Sequence, residues 1–256
     1  MLVMPSPLLI PPLVPAAELD ATLQRQGYAV LDAATVSQLS GCALPELQAL
    51  LPWWDGLLPD AYLKDGGRYR RRRHSCFVLD GDQLTQAPHR AHWQPLEYNA
   101  LHGGMQRLFE PMAGELVAQP AWGQLLRWLG RVSSALKGAR RWYIEAHQFR
   151  IDTTDGIGRP TPEGAHRDGV DLVAVFLLAR RGIKGGETRV FDADGPNGQR
   201  FTLSEPWSLL LLDDARVIHE TTPIQPQAQP AWRDTLVVTL RAGAFLGDDA
   251  GTSPQA

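Results

Sequence analysis

From residue 142 onward the chain breaks into short runs of β-branched and aliphatic residues, each closed by Gly, Pro, Asp or Asn, and this texture constrains the fold most. Runs this short, bounded by turn formers, fit strands and are too brief for ordinary helices. Strands are expected near 142–151, 165–168, 171–178, 187–191, 200–203, 207–212, 216–220 and 234–241. The segment ADGPNG at 193–198 is a hairpin signal, because Gly and Asn adopt positive φ at little cost. The preceding half has a different period. Residues 16–26, 34–51, 105–118 and 121–138 repeat apolar residues three and four apart, which predicts helices. Tyr28–Leu31 reads as a strand, and one or two more are expected around 74–80. Helices first and strands after predict an α+β chain: a double-stranded β-helix of the jelly-roll or cupin-like kind, with N-terminal helices packed on the outside.

The 256 residues read as a single domain, 1–256. Within it, 1–15 is a Pro-rich leader, 16–140 a mainly helical part, 141–242 the jelly-roll core and 243–256 a flexible tail. The leader is apolar but has no positive start, and prolines at 5, 7, 11, 12 and 15 interrupt it, so it does not read as a signal peptide. No apolar stretch is long enough to span a membrane. A net charge of −3 supplies no basic field for nucleic acid or anionic lipid. The only cysteines, Cys42 and Cys76, fit a reducing compartment, and any metal must therefore be held by His and carboxylate. The expected location is the cytoplasm and the expected partner a small molecule, with no nucleic acid and no membrane. Oligomeric state is open; apolar positions near Trp53 and Trp54 make a homodimer one option.

The triplet His166-Arg167-Asp168 carries the sharpest chemistry. Residues two apart on a strand share a face, so imidazole and carboxylate can converge on one point. Alone, such a triplet is equally the polar end of a strand. His219, closing the run Ala215–His219 after the apolar stretch WSLLLL, adds a third group, although a His there can also be a satisfied core residue. Two His and one carboxylate make a facial set that leaves three positions of an octahedron open, and it suits Fe(II), zinc or manganese. Arg233 heads the last long strand and offers a bidentate fork for a carboxylate, with the Thr235 hydroxyl on the same face. The competing reading is a strand-end Arg paired internally, for instance with Asp234. Along 142–151, Gln148 and Arg150 share a face with Ile144, and either line the pocket or lie on a solvated outer face. His147 falls on the opposite face and is not expected as a ligand. The run Arg68–His74 can clamp an anionic substrate, touch nucleic acid or be a solvated face; as a strand it would send alternate Arg residues opposite ways. Gly185-Gly186 reads as a tight turn, and Glu187 is not expected to act as a base.

The order HxD, distal His, then Arg-x-Thr resembles the Fe(II)/2-oxoglutarate dioxygenases. The texts PEGAHRDGVD, GGETRVFD, VIHETTPI and WRDTLVVT look more specifically like the branch containing bacterial L-isoleucine hydroxylase and the BsmA-like biofilm-associated proteins. The resemblance covers roughly 140–242 strongly and the N-terminal helix and QGYAVL strand more loosely. It implies iron(II) on His166, Asp168 and His219, and the distal carboxylate of 2-oxoglutarate on Arg233 assisted by Thr235. It also implies a 2-oxoglutarate or substrate contact from the 142–151 strand, assigned to Gln148 for the cosubstrate and Arg150 for the substrate. The implied reaction is O2-dependent hydroxylation of a small molecule such as a free aliphatic L-amino acid, releasing succinate and CO2. Two other readings stay open: a metal-dependent cupin-like isomerase or hydrolase, which gives Arg233 no special role, and a non-catalytic stress or biofilm-associated barrel.

Overall fold

The computed structural model describes residues 9–248, so residues 1–8 of the expected leader and residues 249–256 of the expected tail lie outside the described residues. The N-terminal elements end where glycine permits. Helix α1 (Leu19–Gln26) stops at Gly27, whose φ of 77° is left-handed, and the chain turns into strand β1 (Tyr28–Leu31). Asp32 caps helix α2 (Ala33–Ser40) by accepting from the Thr35 amide at 2.7 Å. Gly41 then ends α2, and α3 (Leu44–Gln48) restarts with Pro45 in its first turn. The continuous helix expected over 34–51 is thus split by a glycine and a proline. Helix α4 (Gly114–Val117) is all that forms of the helix expected over 105–118. Pro111 opposes a helix there, and the segment runs beside a sheet instead: Arg107 bridges His92, and the Glu110 carbonyl accepts from the His74 amide. Helix α5 (Pro120–Lys137) begins on its proline and buries the stripe Leu125, Leu126, Leu129 and Val132.

Residues 16–140 also supply two further strands, β2 (Arg70–Asp80) and β3 (Gln83–Gln86). The remaining strands are β4 (Trp142–Asp152), β5 (Leu172–Arg181), β6 (Ile183–Gly185), β7 (Thr188–Asp192), β8 (Gly198–Phe201), β9 (Leu209–Asp213), β10 (Val217–Thr221), β11 (Ile224–Pro226) and β12 (Trp232–Ala242). Among the described residues, a seven-stranded antiparallel sheet runs β1-β9-β5-β12-β4-β2-β3. Facing it are the sheet β10-β7-β8 and the pair β11-β6. This is the double-stranded β-helix expected. The segment 165–168, expected as a strand, contributes an isolated bridge through His166.

Both faces of the large sheet are covered, which decides where every side chain goes. Ile144, Ala146, Phe176, Leu236 and Val238 face α1, α2, α3 and α5 in one core with Leu23, Val36, Leu47 and Leu129. Val173, Leu177, Leu210 and Leu212 face the smaller sheet, packing on Val190, Phe201 and Val217. Trp54 belongs to the helix-side core, where its indole donates to the Thr235 carbonyl at 3.1 Å, so it offers no contact surface for a partner. Cys42 and Cys76 are buried free thiols. Among the described residues, no helix is long and apolar enough to cross a membrane.

Candidate active site

His166 and His219 sit directly opposite one another across an antiparallel bridge and exchange both amide–carbonyl hydrogen bonds at 3.0 Å. Paired residues project to the same side of the ladder, and their rings lie 4.6 Å apart between centroids. Asp168 reaches the same point, its two carboxylate oxygens 3.9 Å from His166 Nε2 and 3.8 Å from His219 Nε2. The three donor atoms lie within 4.8 Å of one another, as one ion requires. His166 Nδ1 lies 2.9 Å from the Gly164 carbonyl and must donate to it, which in the neutral ring leaves the Nε2 lone pair facing Asp168. Burial opposes the charged form, but Asp168 and Glu163 beside the ring raise the imidazole above its ordinary range. Burial, and then the nearby His166, push the His219 imidazole well below its ordinary range, so it stands neutral.

Two residues with no obvious sequence signature hold Asp168. The Gln94 amide donates to its Oδ1 at 3.1 Å. The Asp214 carboxylate accepts the backbone N–H groups of Asp168, Gly169 and Val170 at 2.9, 2.7 and 3.1 Å, clamping the turn that aims the carboxylate. Burial raises Asp168, and burial together with the Asp168 charge pushes Asp214 up to about 7. Both shifts mean more buried negative charge than nearby side chains neutralise, the condition a divalent cation relieves. Two imidazoles and one carboxylate therefore fit a metal such as iron(II) in both geometry and charge.

The triad opens into a cavity whose far wall includes Arg233, Thr235, Val237 and Thr239, the inward alternation of β12. Arg233 is 3% exposed, and among the described residues no carboxylate lies within the 4.0 Å of an ion pair. Its Nε has no hydrogen-bond partner, and burial, with Arg180 nearby, depresses the guanidinium to about 10. Asp234, the internal partner weighed for Arg233, is bound on the opposite face by Arg150 at 2.7 Å.

The structure brings together His166, Asp168, His219, Arg233 and Thr235, and it excludes Gln148 and Arg150. Gln148 donates to the Trp53 carbonyl, and Arg150 pairs with Asp234 and Asp55, all on the helix side of the sheet. The opposite set on β4, Glu145, His147, Phe149 and Ile151, lines the cavity, so His147 and not Gln148 or Arg150 faces inward. Strand β2 sends alternate arginines opposite ways as its run predicts. Arg70 and Arg72 line the cavity, while Arg71 pairs with Asp152. Glu187 pairs with Arg189 and takes no part.

A second group, His74, His92, Glu145 and His147, also gathers its donor atoms within 4.8 Å. Its hydrogen bonds argue against a second metal. His74 and His92 both meet Glu145 Oε2, at 2.9 and 2.7 Å, and Arg72 donates into His147 Nδ1 at 2.8 Å. The His147 ring stacks on His74 at 4.6 Å and 20°, so their in-plane lone pairs run side by side instead of converging. Burial depresses His92 to about 4, and it would raise Glu145 were the two imidazoles not holding that carboxyl well below its usual range. The cluster is a buried polar network under the cavity, readable in sequence only once β2 and β4 are known to be neighbours.

The sequence profile of the 2OG-Fe dioxygenase family matches residues 51–239. Among solved structures, the chain resembles a BsmA homolog from Methylobium petroleophilum PM1 at 54% identity and a TM-score of 0.87, over 92% of this chain and 96% of that one. It also resembles IDO from Bacillus thuringiensis, at 18% identity and a TM-score of 0.72 over 90% and 97% of the two chains. The Fe(II)/α-ketoglutarate-dependent dioxygenase TqaL matches at 19% identity and a TM-score of 0.68 over 91% and 88%. These last two likenesses are of fold. No curated protein matches the chain.

Proposed function

The chain belongs to the 2OG-Fe dioxygenase family, and from that premise we propose that His166, Asp168 and His219 hold its iron(II) and that Arg233, assisted by Thr235, binds the distal carboxylate of 2-oxoglutarate. The substrate in this reading is a small molecule such as a free aliphatic L-amino acid, hydroxylated in the cytoplasm. The observation that carries it is Arg233: a buried guanidinium without a counter-ion among the described residues, facing the same cavity as the triad. Burying an unpaired charge is costly, and a dicarboxylate cosubstrate supplies the missing partner bidentately.

Bound iron(II) with 2-oxoglutarate and O2 supplies substrate oxidation coupled to loss of CO2 and formation of succinate. The chain's own part is placement. Gly164 fixes the His166 tautomer, Gln94 and Asp214 aim Asp168, and the ladder sets the spacing of the two imidazoles. Val170, Val175, Val237 and Leu246 give the cavity an apolar wall that excludes water and suits an aliphatic substrate. Anaerobic addition of Fe(II) and 2-oxoglutarate should produce a weak visible charge-transfer band, which Arg233→Ala should weaken at least 100-fold in 2-oxoglutarate affinity. A folded, metal-loaded protein with no band, or an unaffected Arg233→Ala variant, would refute the assignment. A succinate-release screen over free amino acids then tests the substrate class.

A further inference from the structure

With the triad and Arg233 assigned, a second buried guanidinium in the same cavity still lacks a counter-ion. Arg107 is 2% exposed, and among the described residues no carboxylate lies within 4.0 Å of it. Its Nε has no partner, while one terminal nitrogen donates to Gln94 Oε1 at 2.9 Å. Arg70 and Arg72 line the cavity beside it, and a terminal nitrogen of Arg70 is buried without an acceptor. The close acid for this trio is Asp60, 2.7 Å from Arg70 and 3.9 Å from Arg72. Burial first, and then Arg70, depress Arg107 to about 10, the mark of crowded positive charge.

Gln94 connects this excess to the metal. Its carbonyl accepts from Arg107 and from Asn99, and its amide nitrogen donates to Asp168. Arg107 is therefore one glutamine side chain away from a triad carboxylate, with the apolar residues Val175 and Val237 lining the same space. We propose that Arg107, with the free N–H of Arg70, is the anion subsite that holds the carboxylate of a short aliphatic acid substrate. The proposal rests on the triad and Arg233 as read above, since it uses the cavity they leave. Arg233 takes the cosubstrate's distal carboxylate and Arg107 takes the substrate's. A buried subsite selects free small acids over a peptide's terminus.

The test uses the full chain loaded anaerobically with Fe(II) and saturating 2-oxoglutarate, with isovalerate as probe and isovaleramide as its neutral isostere. Thermal midpoint and the charge-transfer band are read in the same samples. Isovalerate should raise the midpoint saturably and isovaleramide should not. Arg107→Gln should weaken the isovalerate response at least tenfold, read in samples that show the band, and Arg107→Lys should restore part of it. Should Arg107→Gln not fold, Arg107→Lys and the acid–amide comparison in the wild type carry the same decision. Equal responses to acid and amide, no response in a wild type that shows the band, or an unaltered Arg107→Gln response would each overturn the proposal. A tripeptide ending in valine should bind at least tenfold more weakly than isovalerate, and tighter binding would overturn the free-acid assignment. A wild type without the band sinks the cosubstrate reading, while the acid–amide preference still decides the role of Arg107.

Discussion

Removing the Asp214 carboxylate should loosen the metal centre without touching a ligand. Oδ1 accepts the Asp168 amide, and Oδ2 accepts those of Gly169 and Val170, all at 3.1 Å or less. A carboxyl held at about 7 is about half protonated at neutral pH, and hydrogen bonds to a neutral acceptor contribute about 0.5–1.5 kcal/mol each. These three residues are half-buried, so water replaces part of the loss, and about 1 kcal/mol apiece is the working figure. Asp214→Ala should then destabilise the protein by about 3 kcal/mol. Asp214→Asn can keep its oxygen toward Gly169 and Val170 but turns an N–H toward the Asp168 amide, and should cost about 1–2 kcal/mol. Because the clamped turn aims a proposed ligand, iron affinity should fall about 10–100-fold in either variant. Urea unfolding of the metal-free protein and anaerobic Fe(II) titration measure the two effects. An Asp214→Ala variant with unchanged midpoint and unchanged Fe(II) affinity would refute the reasoning.

Three further outcomes follow from features away from the iron. His92 is held at about 4 in the folded chain against 6.5 when exposed, so its stability contribution is complete above 6.5 and lost as pH falls through 4. His92→Gln retains a donor for Glu145 and removes that titration; the stability difference between wild type and variant, from urea melts at pH 7 and pH 4.5, should shrink by about 2–3 kcal/mol, and a pH-independent difference would contradict it. Arg150→Ala strands the buried Asp234 carboxylate and should cost about 2–3 kcal/mol by urea melt; since Arg150 lies outside the cavity, a loss of 2-oxoglutarate affinity with stability intact would place it wrongly. Gly130→Ala would set a methyl 2.1 Å from Leu79 Cδ2, inside α5 where it packs on the sheet, and should lower stability by about 1–3 kcal/mol in a thermal melt.

The residues proposed as the metal set and Arg233 could be picked out in the sequence because their chemistry survives any uncertainty in element boundaries: two imidazoles, a carboxylate and a fork in a fixed order. They converge on one cavity. The faces of β4 could not be picked out. Alternation tells two faces apart, but it names the core face only when one side meets water. Here Ile144 and Ala146 lie under helices while Glu145 and His147 lie in a polar cavity, so the apolar stripe marks the side away from the chemistry. Gln148 and Arg150 inherit that side by their even spacing. The burial of the first half of β2 was hidden for a related reason. A strand is expected around 74–80, but a stretch rich in Arg reads as exposed. Arg70 and Arg72 are nonetheless both buried, held by Asp60 and, for Arg72, by the faces of Phe109 and Phe149. Gln94, Arg107 and Asp214 were invisible because each acts through a contact distant in sequence, and no local spacing announces such a contact.

The reciprocal bridge between His166 and His219 also governs when in the chain's life the centre can exist. A growing chain released as far as Asp168 presents an imidazole and a carboxylate, a weak chelate with no ladder to fix it. The second imidazole emerges only with β10, and the fork that would receive the cosubstrate comes later still, on β12. The bridge from His166 to His219 spans β5, β7 and β9 in sequence, and such a non-local contact is costly to close and belongs late in folding. Iron binding by the proposed set would thus wait until β10 has paired with β7. A redox-active ion would then meet a folded pocket instead of an unfolded chain that it could oxidise.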